Sequence, residues 1–186
     1  VDNITVGIFG DLSNTANTLK SLILQMVALH SYDELKIMLI TDEAEKNEWN
    51  FIRPIPHFWN DEKTVRFFAT NADEVKELSV YMEKNILSRK DASNQEYSDF
   101  PPYYVIVSTS KKLAENCEAI QQMLRYKNNC GFSIILAARE LRDLPKESKL
   151  VISVDGENAK MFARDDTSGK SVSFRTDKIN ETAVDN

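Results

Sequence analysis

Apolar positions in this chain form short unbroken runs separated by longer stretches with a period near 3.6, a pattern that predicts strands interleaved with amphipathic helices. Thr5–Phe9 reads as the first strand. A helix follows from about Ser13 or Asn14 to His30, because Leu19, Leu22, Ile23, Met26, Val27 and His30 share one face. Leu35–Ile40 is a second apolar strand, and Asp42–Asn60, rich in aromatics and broken by Pro54 and Pro56, reads as irregular or short helix. Val65–Thr70 is a third strand, after which Asn71 and Glu74 have capping-box spacing and open a helix bearing Val75, Leu78, Met82 and Ile86. Ser88–Phe100 is polar, ends at Pro101-Pro102 and reads as a mobile loop.

The second half continues the alternation. Tyr103–Ser108 is the fourth strand. Ser110 can cap one helix carrying Leu113, Cys117, Ile120 and Leu124, which Asn128-Asn129 stop ahead of Gly131. Phe132–Ala137 and Lys149–Val154 are strands five and six, and Asp155-Gly156 followed by Ala159–Ala163 suggests a hairpin, with a last short strand at Val172–Arg175. Strand-helix alternation of this kind predicts an α/β fold with a largely parallel sheet covered on both faces. The boundaries expected are one domain over residues 1–176 and a polar linker or tail over 177–186.

Composition narrows the partners. Of 186 residues, 42% are apolar and 28% charged, the profile of an ordinary globular domain. Net charge is -6 with no extended basic run, which argues against direct binding of nucleic acid or an anionic membrane surface. No apolar run approaches the roughly 18 residues that span a bilayer. Val1 in the place of an initiator Met predicts a segment of a longer protein, or a piece released from a tag. Cys117 and Cys130 fit no metal spacing and read as reduced thiols of a cytoplasmic protein. A redox pair would need an oxidising compartment.

The first strand ends in Gly10 and runs through a polar loop into the first helix, where a phosphate loop would stand. Such a loop reads G-x-x-x-x-G-K-[ST], with glycines that let backbone N–H groups wrap phosphates, a Lys on the terminal phosphates and a hydroxyl on Mg²⁺. Counted from Gly10, the second Gly is Thr15, the Lys is Ala16 and the hydroxyl is Asn17. A helix start at Ser13 could still attract an anion weakly through free N–H groups, with Gly10, Ser13, Asn14, Thr15, Asn17 and Thr18 as the candidate contacts. The plainer reading is a capped helix start of ordinary polar residues.

A resemblance sharpens this picture. Leu29–Glu43 (LHSYDELKIMLITDE), Trp49–Trp59 (WNFIRPIPHFW) and Arg66–Thr70 (RFFAT), followed by Gly131–Arg139 (GFSIILAAR), Leu144-Pro145 and Leu150–Gly156 (LVISVDG), occur in order along the chain. This run resembles the juxtamembrane cytoplasmic domain of the FtsK/SpoIIIE-type motor of type VII secretion, the EssC/EccC family. The resemblance covers roughly Val6–Gly156. It implies a RecA-like fold of ASCE topology with strand order 3-2-4-5-1-6 and the hairpin at the far edge. Gly10–Thr18, Ser108–Ser110 and Ala137–Arg139 would then converge beyond the carboxyl ends of the strands.

The fourth strand would be the Walker-B strand, which ordinarily ends in Asp-Glu; this one ends Val107-Ser108-Thr109-Ser110. Phosphoryl transfer needs fixed positive charge and an acid that orients Mg²⁺ and water, so two separate losses point away from catalysis. Arg139 could contact a phosphate or reach a neighbouring subunit, or simply sit solvated on the surface. Trp49, Arg53, His57 and Trp59, with Phe51 and Phe58 among them, either form a docking surface or plug one end of the sheet. His57 has no second ligand at metal spacing.

The two losses together with the resemblance predict a degenerate, non-hydrolytic ATPase-like domain that couples the membrane channel to the downstream active ATPase domains, with no catalytic residue, metal or cofactor of its own, ATP and Mg belonging to other domains of the parent. Implied partners are neighbouring ATPase domains of the same chain, other secretion-machinery subunits and, in the full-length motor, a homo-hexamer. The domain would lie at the cytoplasmic face of the cell membrane. The alternatives are an active ATPase domain with an atypical phosphate loop, and an α/β protein-interaction adaptor unrelated to secretion.

Overall fold

In the computed structural model, which describes residues 4–89 and 100–177, strand-helix alternation closes into three layers. The expected loop over Ser88–Phe100 falls outside the described residues except at its ends, and so does the expected tail after Asp177. Strands β1 (Thr5–Gly10), β2 (Leu35–Ile40), β3 (Phe68–Ala69), β4 (Tyr103–Ser108), β5 (Phe132–Ala138), β6 (Leu150–Asp155), β7 (Asn158–Ala163) and β8 (Val172–Arg175) form one sheet in the order β3-β2-β4-β5-β1-β6-β7-β8. Pairing is parallel from β3 to β6 and antiparallel through β7 and β8. The order and the edge hairpin are those implied by the resemblance. The hairpin turns on Gly156 and Glu157, between the paired Asp155 and Asn158, with Gly156 at φ +60°.

Each face of the sheet carries its own apolar layer. On one side lie α2 (Ala72–Asn85), α3 (Lys111–Asn116) and α4 (Glu118–Met123), packed on Met38, Ile40, Ile106, Ile134 and Leu136. On the other lie α1 (Leu12–Leu29) and the 3₁₀ segment Glu43–Ile52, whose Leu19, Ile23, Trp49 and Ile52 meet Ile37, Leu39, Val105 and Val107. Strand β2 is buried along its whole length, which is why its sequence is a run rather than an alternation. Its one charged residue, Lys36, is 2% exposed and reaches Asp61 Oδ1 at 2.9 Å.

Four expectations from the pattern are corrected. Helix α1 starts at Leu12, not Ser13 or Asn14, because the carboxylate of Asp11 caps it by accepting the Leu12 N–H at 3.0 Å. His30 is not on the apolar face: it is the exposed C-cap, and Leu29 before it is 77% exposed. The third strand is only Phe68–Ala69. Residues 65–67 bond back to the preceding segment, with Asn60 N–H on the Val65 carbonyl at 3.1 Å and Phe67 N–H on the Phe58 carbonyl at 2.8 Å.

The fourth correction concerns the single helix expected after Ser110, which is two. Cys117 is extended (φ -85°, ψ 103°) and separates them. In a continuous helix the Ala119 N–H would donate to the Glu115 carbonyl; here it donates to Ser79 Oγ of α2 at 3.1 Å. Gln121 Nε2 donates across the break to the Ala114 carbonyl at 3.0 Å. Replacing Ser79 by Ala leaves the buried Ala119 N–H without its acceptor. Ser79→Ala is therefore expected to lower stability by about 1–3 kcal/mol, read from urea unfolding.

Candidate functional site

The carboxyl ends of β4, β5 and β1 are neighbours, so the β1–α1 loop, Ser108–Ser110 and Ala137–Arg139 open on the same end of the sheet. Gly10 serves packing there. A Cβ on it would stand 2.2 Å from the Val154 carbonyl oxygen of β6, so only glycine lets the two strands approach. Asp11 places a carboxylate on the first turn of α1, where an anion would otherwise meet the helix, and its Oδ2 also accepts the Ser13 hydroxyl at 3.1 Å.

The other candidate contacts turn inward. Thr15 Oγ1 donates to the carbonyls of Asp11 and Leu12, at 3.2 and 3.0 Å, and Thr18 Oγ1 donates to the Asn14 carbonyl at 2.9 Å. Thr15 and Thr18 are 2% and 4% exposed, while Ser13 and Asn17 are exposed and Asn14 is partly so. Arg139 is exposed just past β5. A helix N-terminus attracts an anion by about 0.3–1 kcal/mol. Ala16, half-buried, stands at the position counted for the Lys.

Acids do reach the end of β4, but from another strand. Asp42, just past β2, accepts the Ser110 hydroxyl at 2.6 Å, and Glu45 Oε2 accepts hydroxyls of Thr41 and Thr109, both at 3.1 Å. The Thr70 hydroxyl faces Glu43 and Glu74, and its hydrogen bond to Glu43, followed by that of Lys46, holds the Glu43 carboxyl below its ordinary range. Asp42, Glu43 and Glu45 follow β2, one strand further from β1 than the strand that ordinarily carries a Walker-B acid. The run Thr41-Asp42-Glu43 is the available signal in the sequence, and strand order is needed to read it. Among the described residues no group of three or more His, Cys, Asp or Glu could hold a metal ion, and no helix is long and apolar enough to cross a membrane.

The aromatic segment divides in two. Trp49 is 1% exposed and belongs to the core, with the Lys20 ammonium 5.7 Å from its ring. His57 is 5% exposed and its Nε2–H donates to the His30 carbonyl at 2.9 Å, pinning this segment to the end of α1. Phe58 is fully buried and Phe51 partly so. Arg53 and Trp59 reach the surface, where the Trp59 indole N–H lies 3.5 Å from the Arg53 carbonyl.

No family model matches the chain. It is 24% identical over 139 residues to the ESX secretion system protein YukB of Bacillus subtilis, a match covering 75% of this chain and 9% of YukB. Among solved structures, EssC (ATPases 2 and 3) from Geobacillus thermodenitrificans aligns over 97% of this chain and 41% of its own, with TM-score 0.70 and 13% identity. Thermomonospora curvata EccC (ATPases 2 and 3), in complex with a signal sequence peptide, aligns over 98% and 40%, with TM-score 0.61 and 12% identity. The chain resembles the EssC/EccC ATPases of type VII secretion. Its RecA-like fold is that of the EssC/EccC ATPase domains, and it spans about a tenth of the curated relative's length.

The Asp11 cap has a measurable consequence. Asp11→Ala removes the acceptor of the Leu12 N–H and is expected to cost about 1 kcal/mol of stability, read from urea unfolding.

Proposed function

We propose that this chain is an ATPase-like module of a type VII secretion motor that hydrolyses no nucleotide itself and couples other parts of the motor to active ATPase domains. The observation that carries the reading is the Asp11 carboxylate on the first turn of α1, where phosphates would sit, with Ala16 in place of the Lys. The likeness to YukB supports the secretion role. In this reading ATP and Mg belong to other domains of the parent. The partners are those domains, other secretion-machinery subunits and sister copies in a hexamer, at the cytoplasmic face of the membrane.

Isothermal titration of the 186-residue chain with ATP and Mg²⁺ is expected to give no micromolar binding. Such binding, or turnover above background, would favour an active domain with an atypical loop. Ala16→Lys alone is expected to create no ATPase activity, because β4 still ends without an acid. Phosphate release by that single variant refutes the argument. In the uncut gene product, transmembrane helices before Val1 and intact phosphate-loop domains after Asn186 are expected; their absence would favour the unrelated adaptor.

A further inference from the structure

A cleft of about 1000 Å³ lies beside β3, at the end of the sheet opposite the hairpin. Most of its charges are already engaged. Asp61 holds Lys36 at 2.9 Å, Glu62 Oε2 accepts the Asn60 amide at 2.8 Å, and Glu74 Oε2 accepts the Thr70 N–H at 2.7 Å. Lys46 pairs with Glu43 at 3.1 Å, and Arg89 donates to the carbonyls of Phe100 and Pro102 at 3.3 and 3.0 Å.

Two guanidinium groups differ. Arg53 is exposed, and the buried Nε of Arg66 has no hydrogen-bond partner among the described residues. Neither makes an ion pair among those residues. Arg66 lies 5.0 Å from the Phe68 ring and 5.9 Å from the Trp59 ring, distances at which cation–π attraction holds a guanidinium in place. Burial first, then the like charge of Arg53, lower its pKa, and Glu74 offsets part of this.

We infer that this cleft docks an acidic, extended segment of a partner protein, one carboxylate taking the fork of Arg66 with Arg53 beside it. Charge complementarity carries the choice: a chain of net charge -6 keeps on one cleft two guanidiniums that make no ion pair among the described residues, and a guanidinium fork matches a carboxylate bidentately. Phe68 and Val80, the latter 60% exposed, offer apolar contact to neighbouring side chains of the segment. The inference needs no nucleotide and no secretion role, so it can fail while the proposed function stands.

The test titrates hexaglutamate peptide into the ¹⁵N-labelled 186-residue chain at low salt and follows the Trp59 indole N–H resonance. A saturable shift of Trp59, with the buried Trp49 unmoved, is expected. Affinity should fall about tenfold or more in Arg66→Gln and in Arg53→Gln, and part-way in Arg66→Lys, which keeps the charge and loses the fork. Arg53 is exposed, so its variant keeps the test decisive if Arg66→Gln unfolds. No saturable shift, undiminished binding by Arg53→Gln, or displacement of the peptide by an equal concentration of inorganic phosphate overturns the inference.

Discussion

Burial of the sheet on both faces is the constraint on which the rest of this structure depends. Parallel strands need crossover connections, and those crossovers here supply α1 on one face and α2 to α4 on the other. Once β2, β4 and β5 are enclosed, every polar group on them needs a partner or must lie at a strand end. Lys36 meets the first condition through Asp61, and Ser108, with Ser110 beyond the end of β4, meets the second.

The same constraint shapes the end of the sheet where a RecA-like fold would do its chemistry. Gly10 is held by the approach of β6, and Thr15 and Thr18 spend their hydroxyls on helix carbonyls. Among the groups that reach solvent at the start of α1 is a carboxylate that caps the helix itself. Packing and helix capping thus account for the positions of Gly10, Thr15 and Thr18.

At the β3 edge the balance differs. The acids after β2 accept from Thr41, Thr70, Thr109 and Ser110, and Asn60 bonds Glu62, Thr64 and Val65, whereas Arg53 and Arg66 line an open cleft, Arg66 beside aromatic rings. A sheet edge that presents guanidinium rather than backbone alone discourages indiscriminate strand pairing and favours a partner of opposite charge.

Periodicity alone determined β1, β2, β4, β5 and β6, the hairpin and the capping of α2, because these are set by local patterns of burial and turn chemistry. That Ala16 stands six residues after Gly10 and that the fourth strand ends Ser108-Thr109-Ser110 was equally legible, being a matter of residue identity at counted positions. The strand order came with the family resemblance. Only the tertiary structure decided that Asp11 caps α1, that Ser79 takes the N–H freed where the helix after Ser110 breaks, and that Trp49 and His57 are buried while Arg53 and Arg66 share a cleft. The reason is physical: a polar side chain chooses its partner among groups brought close by strand order, and that proximity joins residues far apart in the chain.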